Sequence, residues 1–173
     1  MLVYAGNDGD DPASRAAKLK ALQAIFAEPG VSALAMLAAD ALSKANAQRG
    51  TRLVINSHGN QDTFADMTPD QFYAELVSKG FQNGAFQALY LVACNVGQQN
   101  QRGAIVGNFA RDLDLLFKQQ LVDIALYAPR GVVSYTLQTV TQRGESFKKV
   151  TAIVIRAPEK DYSFKEGMLR VMA

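Results

Sequence analysis

The chain has 173 residues, of which 49% are apolar and 20% are charged, and its formal net charge is +2. This length fits a single domain, residues 1–173, with a proper hydrophobic core. Such a small charge does not indicate a nucleic-acid partner. The single cysteine and the single histidine exclude an intramolecular disulfide framework and a four-ligand Cys/His zinc site.

Targeting signals are not apparent in the sequence. No apolar segment reaches the roughly 18 residues of a membrane span, and Met1 to Gly6 lack a basic n-region and are typical of a strand rather than a signal peptide. We therefore expect a cytoplasmic protein by default. Export as an effector by a leaderless route, or excision from a larger chain, stays open.

The first part of the chain is predicted to hold one strand and two helices. Leu2 to Ala5 is expected to be a strand. Asp11 is a predicted N-cap and Pro12 a predicted first helical position, before a helix from Ala13 to Ala27. After a Pro-Gly break, apolar residues at helical spacing predict a second helix from Val31 to Gln48.

Two short apolar runs dominate the middle of the chain, and they end in the only histidine and the only cysteine. Leu53 to Gly59 ends in His58-Gly59, and Ala88 to Cys94 ends in Ala93-Cys94. Runs of this length are typical of strands buried on both faces of a parallel sheet, whose carboxyl ends bind ligands. Neighbouring strands lie about 4.8 Å apart. The two side chains are therefore expected to face one cleft, and a Cys/His pair within hydrogen-bonding reach is the minimum for thiol nucleophilic catalysis.

The rest of the chain continues the alternation of helices and strands. A capping box, Thr68 to Gln71, begins a predicted helix Pro69 to Lys79. The elements predicted after Cys94 are a helix and three strands: Ala104 to Gln119, Val122 to Tyr127, Val132 to Val140 and Val150 to Ile155. The last two strands are expected to form a hairpin. The order predicts an α/β fold: a mostly parallel central sheet in three layers, with helices on both faces and the antiparallel hairpin at one edge.

These motifs resemble those of the caspase-like cysteine peptidases of clan CD. That group shares an apolar strand ending in His-Gly and a later strand ending in a small residue and Cys, here Leu53 to Gly59 and Leu89 to Cys94. The stretch Phe64 to Phe72 is similar to the post-histidine loop and capped helix of one subgroup. That subgroup is the inositol-hexakisphosphate-triggered autoprocessing domains of RTX-type and large clostridial toxins. Gly107-Asn108-Phe109 continues the match.

The resemblance extends over about Leu53 to Ile155. It implies a caspase-like sandwich and a cysteine-type endopeptidase that cuts a polypeptide, such as its own parent chain. CHAT-type caspase relatives share the same two strands, so a catalytically silent caspase-like interaction module is the alternative. An unrelated α/β binding domain is a third reading. Iodoacetamide labelling near neutral pH distinguishes them, because a catalytic thiol reacts fast and a buried inert thiol slowly.

The catalytic roles follow from the resemblance and from thiol chemistry. Cys94 is expected to be the nucleophile, and His58 the acid/base that protonates the leaving amine. The backbone amides of Gly59 and Cys94 are expected to bind the oxyanion. A dyad of this kind requires no metal or other cofactor. Asp62 and Asp66 follow the histidine as candidates for a third member, although loop carboxylates are usually solvated.

Two further groups of residues are candidates for binding. Arg130, Gly131 and Val132 follow the strand after Cys94, where caspase-like folds add the substrate as a strand. The Arg130 side chain either reads an acidic residue or lies in solvent. Lys148, Lys149 and Arg156 belong to a basic region that is a candidate polyanion site, although lysines beside a hairpin often only block edge aggregation. The loops around the site are polar or contain glycine, which predicts that the protein alone is a weak enzyme. If the toxin resemblance holds, the activator is a polyanion such as inositol hexakisphosphate.

Overall fold

A computed structural model describes residues 1–6, 9–44, 52–98 and 108–172. Its helices and strands, in chain order, are β1 (Leu2–Tyr4), α1 (Pro12–Phe26), β2 (Val31–Ala33), α2 (Ala41–Lys44), β3 (Arg52–Asn56), α3 (Pro69–Ser78), β4 (Ala88–Val92), α4 (Phe109–Gln119), β5 (Ala125–Pro129), β6 (Val132–Gln142), β7 (Glu145–Arg156), β8 (Asp161–Ser163), α5 (Phe164–Gly167) and β9 (Met168–Arg170). A short 3-10 helix, Leu34–Met36, follows β2.

A six-stranded sheet forms the centre of the molecule, in the order β2-β1-β3-β4-β5-β9. The pairs from β2 to β5 are parallel, and β9 pairs antiparallel with β5. The predicted α/β class with a mostly parallel sheet is therefore confirmed. The strands β3 and β4, which lead to His58 and Cys94, are direct neighbours, with Asn56 opposite Val92.

The two faces of the central sheet belong to two cores. One core joins α3 and α4 to alternate residues of β3 and β4, namely Leu53, Ile55, Leu89 and Leu91. Val54 and Val92 belong to the other core, where they pack with Leu22 and Phe26 of α1. Helices thus cover both faces, as the sequence predicts, because every second residue of these strands is apolar on each side.

The predicted hairpin forms, but its predicted position at the edge of the central sheet is wrong. β6, β7 and β8 make a separate antiparallel sheet. It joins the α1 side of the molecule, where Val133 and Ile155 are buried in the core. β9 takes the edge beside β5 instead. Alternate apolar residues at the base of the hairpin favour burial of one face over edge pairing.

The predicted helix from Val31 to Gln48 is wrong over its described part. Val31 to Ala33 pairs in parallel with β1, the 3-10 helix follows, and α2 is only a short helix. Residues 45–48 lie outside the described residues. Pairing with β1 satisfies backbone groups and buries Leu34 and Leu42. These tertiary contacts outweigh the helical preference of the alanines.

The other predicted boundaries are closer to the structure. The capping box of α3 is present, with Thr68 and Gln71 bonding reciprocally. The described part of α4 begins at Phe109 with Asn108 as its N-cap, and residues 104–107 lie outside the described residues. The strand predicted to begin at Val122 begins at Ala125, since the Val122 N–H still closes the end of α4.

Candidate active site

His58 and Cys94 follow the carboxyl ends of two adjacent parallel strands, β3 and β4. The pairing continues past the strand ends, since the Ser57 N–H donates to the Val92 carbonyl at 3.1 Å. Both side chains line one pocket of about 100 Å³. The tertiary structure therefore places the two residues that the sequence singles out at one pocket, beyond the ends of two paired strands.

A carboxylate contacts His58 from the loop after β3. Asp66 Oδ1 lies 2.8 Å from His58 Nε2. The side chain of His58 is 34% exposed and that of Asp66 is 79% exposed, so the pair lies at the surface. His58 Nδ1 is buried and has no hydrogen-bond partner within the described residues. Asp62 is the other candidate carboxylate. Its backbone N–H donates to Asn60 Oδ1, and its carboxylate is not among the described hydrogen-bond partners of the His58 ring.

The loop that carries Asp66 is anchored by an aromatic side chain. Phe64 is fully buried, and its ring lies 5.1 Å from that of Phe72 and 5.8 Å from that of Phe109. The Ala65 N–H donates to the His58 carbonyl at 3.0 Å, which closes the loop onto β3. Core packing therefore determines which loop carboxylate reaches the histidine, and no short sequence pattern shows this.

Gly59 is required by packing. A Cβ there would lie 2.6 Å from Val96 Cγ1 and 3.1 Å from Ala93 Cβ. Gly59 also lies opposite Phe64 in an antiparallel bridge, in which the Asn60 N–H donates to the Thr63 carbonyl and the Ala65 N–H to the His58 carbonyl. Because Gly59 itself is not hydrogen-bonded in this bridge, its N–H points away from Phe64. The proposed oxyanion role of the Gly59 and Cys94 amides stays a prediction.

Cys94 lies between the two sheets. Its half-buried thiol donates to the Val133 carbonyl of β6 at 3.8 Å. The next residue, Asn95, has φ of 60° and donates its N–H to the Gly131 carbonyl at 2.9 Å. The start of β6 is thus bonded to the segment that carries the cysteine.

Three titratable residues of the pocket, Asp10, Lys18 and Tyr135, were not expected from the sequence. The Tyr135 hydroxyl is buried without a partner in the described structure. Burial raises the pKa of Tyr135, and Cys94 and Asp10 raise it further, so the hydroxyl stays neutral. Lys18 Nζ lies 4.9 Å from the Tyr135 ring centroid and 2.8 Å from both Asp10 oxygens. The alternation of Val133 and Tyr135 in β6 is a signal for Tyr135; nothing in the sequence places Asp10 and Lys18 there.

The amino-terminal end of α4 joins the two loops of the site. The Phe109 N–H donates to the Gln61 carbonyl at 2.6 Å, and the Ala110 N–H to the Val96 carbonyl at 3.0 Å. Gln61 lies in the loop after His58, and Val96 in the loop after Cys94. One helix terminus therefore fixes the relative positions of both loops.

The predicted substrate residues lie beside the site and are already engaged. Arg130 is packed over the Tyr162 ring at 4.3 Å and lies 3.7 Å from Glu159. Gly131 has no room for a Cβ against the Arg156 carbonyl. Val132 pairs with Arg156 of β7, so one side of its backbone is already occupied. β6 is the outer strand of its sheet, and its outer edge, which no strand of the described residues pairs with, runs past Cys94.

The predicted polyanion residues do not converge. Lys148 and Lys149 line a groove of about 770 Å³ between α1 and the β6–β7 hairpin, together with Lys20. Lys148 Nζ lies 3.3 Å from Asp11 Oδ2 and 3.1 Å from Ser14 Oγ. Arg156 is at the other end of β7, about 26 Å from Lys148 at the usual rise of a strand. The groove is therefore lined by Lys20, Lys148 and Lys149 but not by Arg156.

Comparison of the chain with known proteins identifies no relative. The chain matches no protein-family model, no curated protein and no solved structure. The described residues contain no group of three or more His, Cys, Asp or Glu side chains arranged to hold a metal ion. None of the described helices is both long enough and apolar enough to span a membrane.

Proposed function

We propose that this chain is a cysteine endopeptidase of the caspase-like class. Cys94 is the nucleophile and His58 is the acid/base. The observation that carries the proposal is the pocket that both side chains line at the carboxyl ends of adjacent parallel strands. An autoprocessing domain, or an effector domain of a secreted toxin, is the setting that the sequence resemblance implies.

The reaction proceeds in two steps. The Cys94 sulfur attacks the peptide carbonyl carbon, its proton passes to His58, and the carbonyl oxygen becomes an oxyanion held by backbone amides. The C–N bond then breaks, and His58 gives the proton to the leaving amine. Water, deprotonated by His58, hydrolyses the thioester, which restores the thiol and releases the new carboxyl end.

The unpaired edge of β6 is the proposed substrate-binding strand. The Val133 carbonyl lies on this edge, because it accepts from the Cys94 thiol. When the thiol turns to attack, this carbonyl becomes free for a substrate N–H, and an extended peptide adds antiparallel or parallel to β6. Backbone pairing of this kind places the scissile bond beside the sulfur.

A polyanion such as inositol hexakisphosphate is the proposed activator. The α1–hairpin groove supports this, since three lysines line it. A polyanion there competes with Asp11 for Lys148 and so weakens the contact between α1 and the hairpin. The same two elements meet at the Cys94 pocket, where Lys18 of α1 lies over the Tyr135 ring of β6. Weaker contact between them therefore opens that pocket. Activity then rises with the population of the open state.

A silent interaction module remains the second candidate. The observation that favours it is the small volume of the pocket, about 100 Å³, together with the engaged thiol. A protein of this kind holds Cys94 as a packed side chain and uses its exposed hairpin for contact with a partner.

The test is cleavage of a peptide library by the wild-type protein, Cys94→Ala, His58→Ala and, as a control from the same loop, Asp62→Asn. Each is assayed with and without inositol hexakisphosphate. We expect cleavage by the wild type and by Asp62→Asn, none by Cys94→Ala, and at least a 100-fold loss for His58→Ala, on the order of what a positioned acid/base supplies. Cleavage by Cys94→Ala would falsify the nucleophile. No cleavage by any protein, with slow iodoacetamide labelling of Cys94, would instead favour the silent module.

A further inference from the structure

We infer that Asp66 is a positioning residue for His58. Its carboxylate accepts the Nε2 proton and so directs the lone pair of Nδ1 toward chemistry at Cys94. This inference deepens the proposed function and rests on it for its catalytic meaning. Its decisive readout is the histidine ring itself, which does not require peptide cleavage.

The contact determines where the ring proton lies. An ionised carboxylate accepts hydrogen bonds and donates none, so the 2.8 Å contact between Asp66 Oδ1 and His58 Nε2 needs a proton on Nε2. A neutral imidazole carries only one N–H, and the bond made by one nitrogen decides the state of the other. In the neutral ring, Nδ1 is therefore the acceptor. It is buried without a partner in the described structure, in a ring that lines the Cys94 pocket.

The proposed reaction gives the unpartnered Nδ1 a role. A buried polar atom without a partner is costly and calls for an explanation. In the proposed reaction Nδ1, which makes no hydrogen bond to Cys94 in the described structure, receives the proton from the Cys94 sulfur and delivers it to the leaving amine nitrogen. No proton passes to Asp66, which holds the ring orientation and offsets the positive charge of the imidazolium.

The backbone places Asp66 for this contact at a conformational cost. Ala65 and Asp66 both have positive φ, 52° and 61°, a region that residues other than glycine rarely adopt. Asp is among the few that tolerate it. Strain of this kind persists only where the surroundings impose it, and it concentrates at functional sites. Here the buried Phe64 and the Ala65 bond to the His58 carbonyl impose it.

Two other charged groups line the pocket, Lys18 and Asp10, and they are paired with each other. Lys18 Nζ is 2.8 Å from both carboxylate oxygens of Asp10, so the two charges largely offset one another. Tyr135 stays neutral because burial raises its pKa. Among the described contacts of the His58 ring, Asp66 is the carboxylate bonded to it.

Two variants separate the side chain from the backbone. Asp66→Asn retains an oxygen acceptor and the tolerance of positive φ but removes the charge. Asp66→Gly removes the acceptor and keeps the backbone conformation accessible. Asp62→Gly is the matched control, because it introduces the same flexibility into the same loop. Thermal unfolding of all variants checks that each one folds.

The measurement is proton NMR of the ring N–H in protein labelled with ¹⁵N at histidine. The chain has one histidine, so every ring signal belongs to His58. We expect a downfield, hydrogen-bonded Nε2–H signal in the wild type and in Asp62→Gly, recorded at low temperature to slow water exchange at this exposed pair. It should move upfield in Asp66→Asn and disappear by exchange in Asp66→Gly. In peptide cleavage, Asp66→Gly should lower kcat about 10-fold, part of what positioned acid–base catalysis supplies, with KM nearly unchanged. Asp66→Asn should fall between.

The two possible failures are distinguishable. A wild-type protein without the downfield Nε2–H signal, or an Asp66→Gly variant that keeps it, overturns the inference whatever the cleavage assay shows. Unchanged kcat in Asp66→Gly also overturns it. If the ring signals follow the expectation while no protein cleaves any peptide, the peptidase proposal fails and the hydrogen bond itself is supported.

Discussion

At the scale of single residues, Tyr135 carries a buried hydroxyl whose loss of hydration opposes folding. Its hydroxyl is buried without a partner in the described structure, and the raised pKa keeps it protonated. An unsatisfied buried hydroxyl costs about 1–3 kcal/mol. We therefore predict that Tyr135→Phe raises the free energy of unfolding by about 1 kcal/mol, measured by urea denaturation.

Tyr162→Phe is the matched control for this prediction. The Tyr162 hydroxyl lies 2.7 Å from Glu159 at the surface, so its removal should lower the free energy of unfolding by no more than about 0.5 kcal/mol. A clear loss of stability in Tyr135→Phe would show that a partner such as a bound water satisfies the buried hydroxyl. The pocket beside Cys94 would then be wet.

At the scale of elements, the N-terminal cap of α1 couples helix stability to pH. The pKa of Asp11 is lowered from 3.8 to about 2, first by the Ser14 N–H, then by the Ser14 hydroxyl and by Lys148. Because the folded pKa is below the unfolded one, the carboxylate stabilises the fold above pH 3.8, and this contribution is lost as the pH falls through 2. Asp11→Ala should therefore be less stable than the wild type at pH 7, and the difference should shrink near pH 2.

Thr68→Ala at the cap of α3 is the control, because a hydroxyl does not titrate in this range. Its cost, about 1 kcal/mol, should be the same at both ends of the pH range. Urea denaturation at pH 7 and at pH 2 provides the comparison. A pH-independent difference between Asp11→Ala and the wild type would contradict the assigned role of the carboxylate.

At the scale of the whole molecule, the β6–β7 hairpin divides into a buried base and an exposed distal part. Val133 and Ile155 belong to the core, whereas residues 138–149 are mostly exposed. Leu137 and Val150 are paired. An Asn-Gly dipeptide can therefore join them as the two-residue loop of a shorter hairpin. Replacing 138–149 in this way should change Tm by less than about 5 °C. It should also abolish inositol hexakisphosphate binding, because Lys148 and Lys149 are removed.

A double variant, Lys148→Ala with Lys149→Ala, keeps the hairpin and tests the lysines alone. Calorimetry at low salt should show the same loss of binding in both proteins, since the attraction is largely electrostatic. Retained binding in the double variant would remove the α1–hairpin groove as the polyanion site. Global unfolding of the shortened protein would show instead that the distal hairpin stabilises α1.

The parts of the fold predicted correctly are those with a local physical cause. The start of α1 follows from Asp11 and Pro12, and the start of α3 from its capping box, because capping depends on residues within one turn. The strands β3 and β4 follow from short apolar runs, and parallel pairing of their carboxyl ends brings His58 and Cys94 to one pocket. For these features, neighbours in the sequence are also neighbours in space.

Only the tertiary structure decided the features that depend on distant partners. Val31 to Ala33 is a strand because β1 offers an unpaired edge, and the hairpin leaves the central sheet because its apolar face meets α1. Asp66 rather than Asp62 reaches His58 because a buried phenylalanine anchors the loop between them. In each case local propensity is worth a few tenths of a kcal/mol per residue, while burying one large side chain is worth about 1.5–3 kcal/mol. The sequence by itself therefore determined where the capped helices α1 and α3 begin and which residues carry reactive groups. Long-range burial decided what those elements and groups touch.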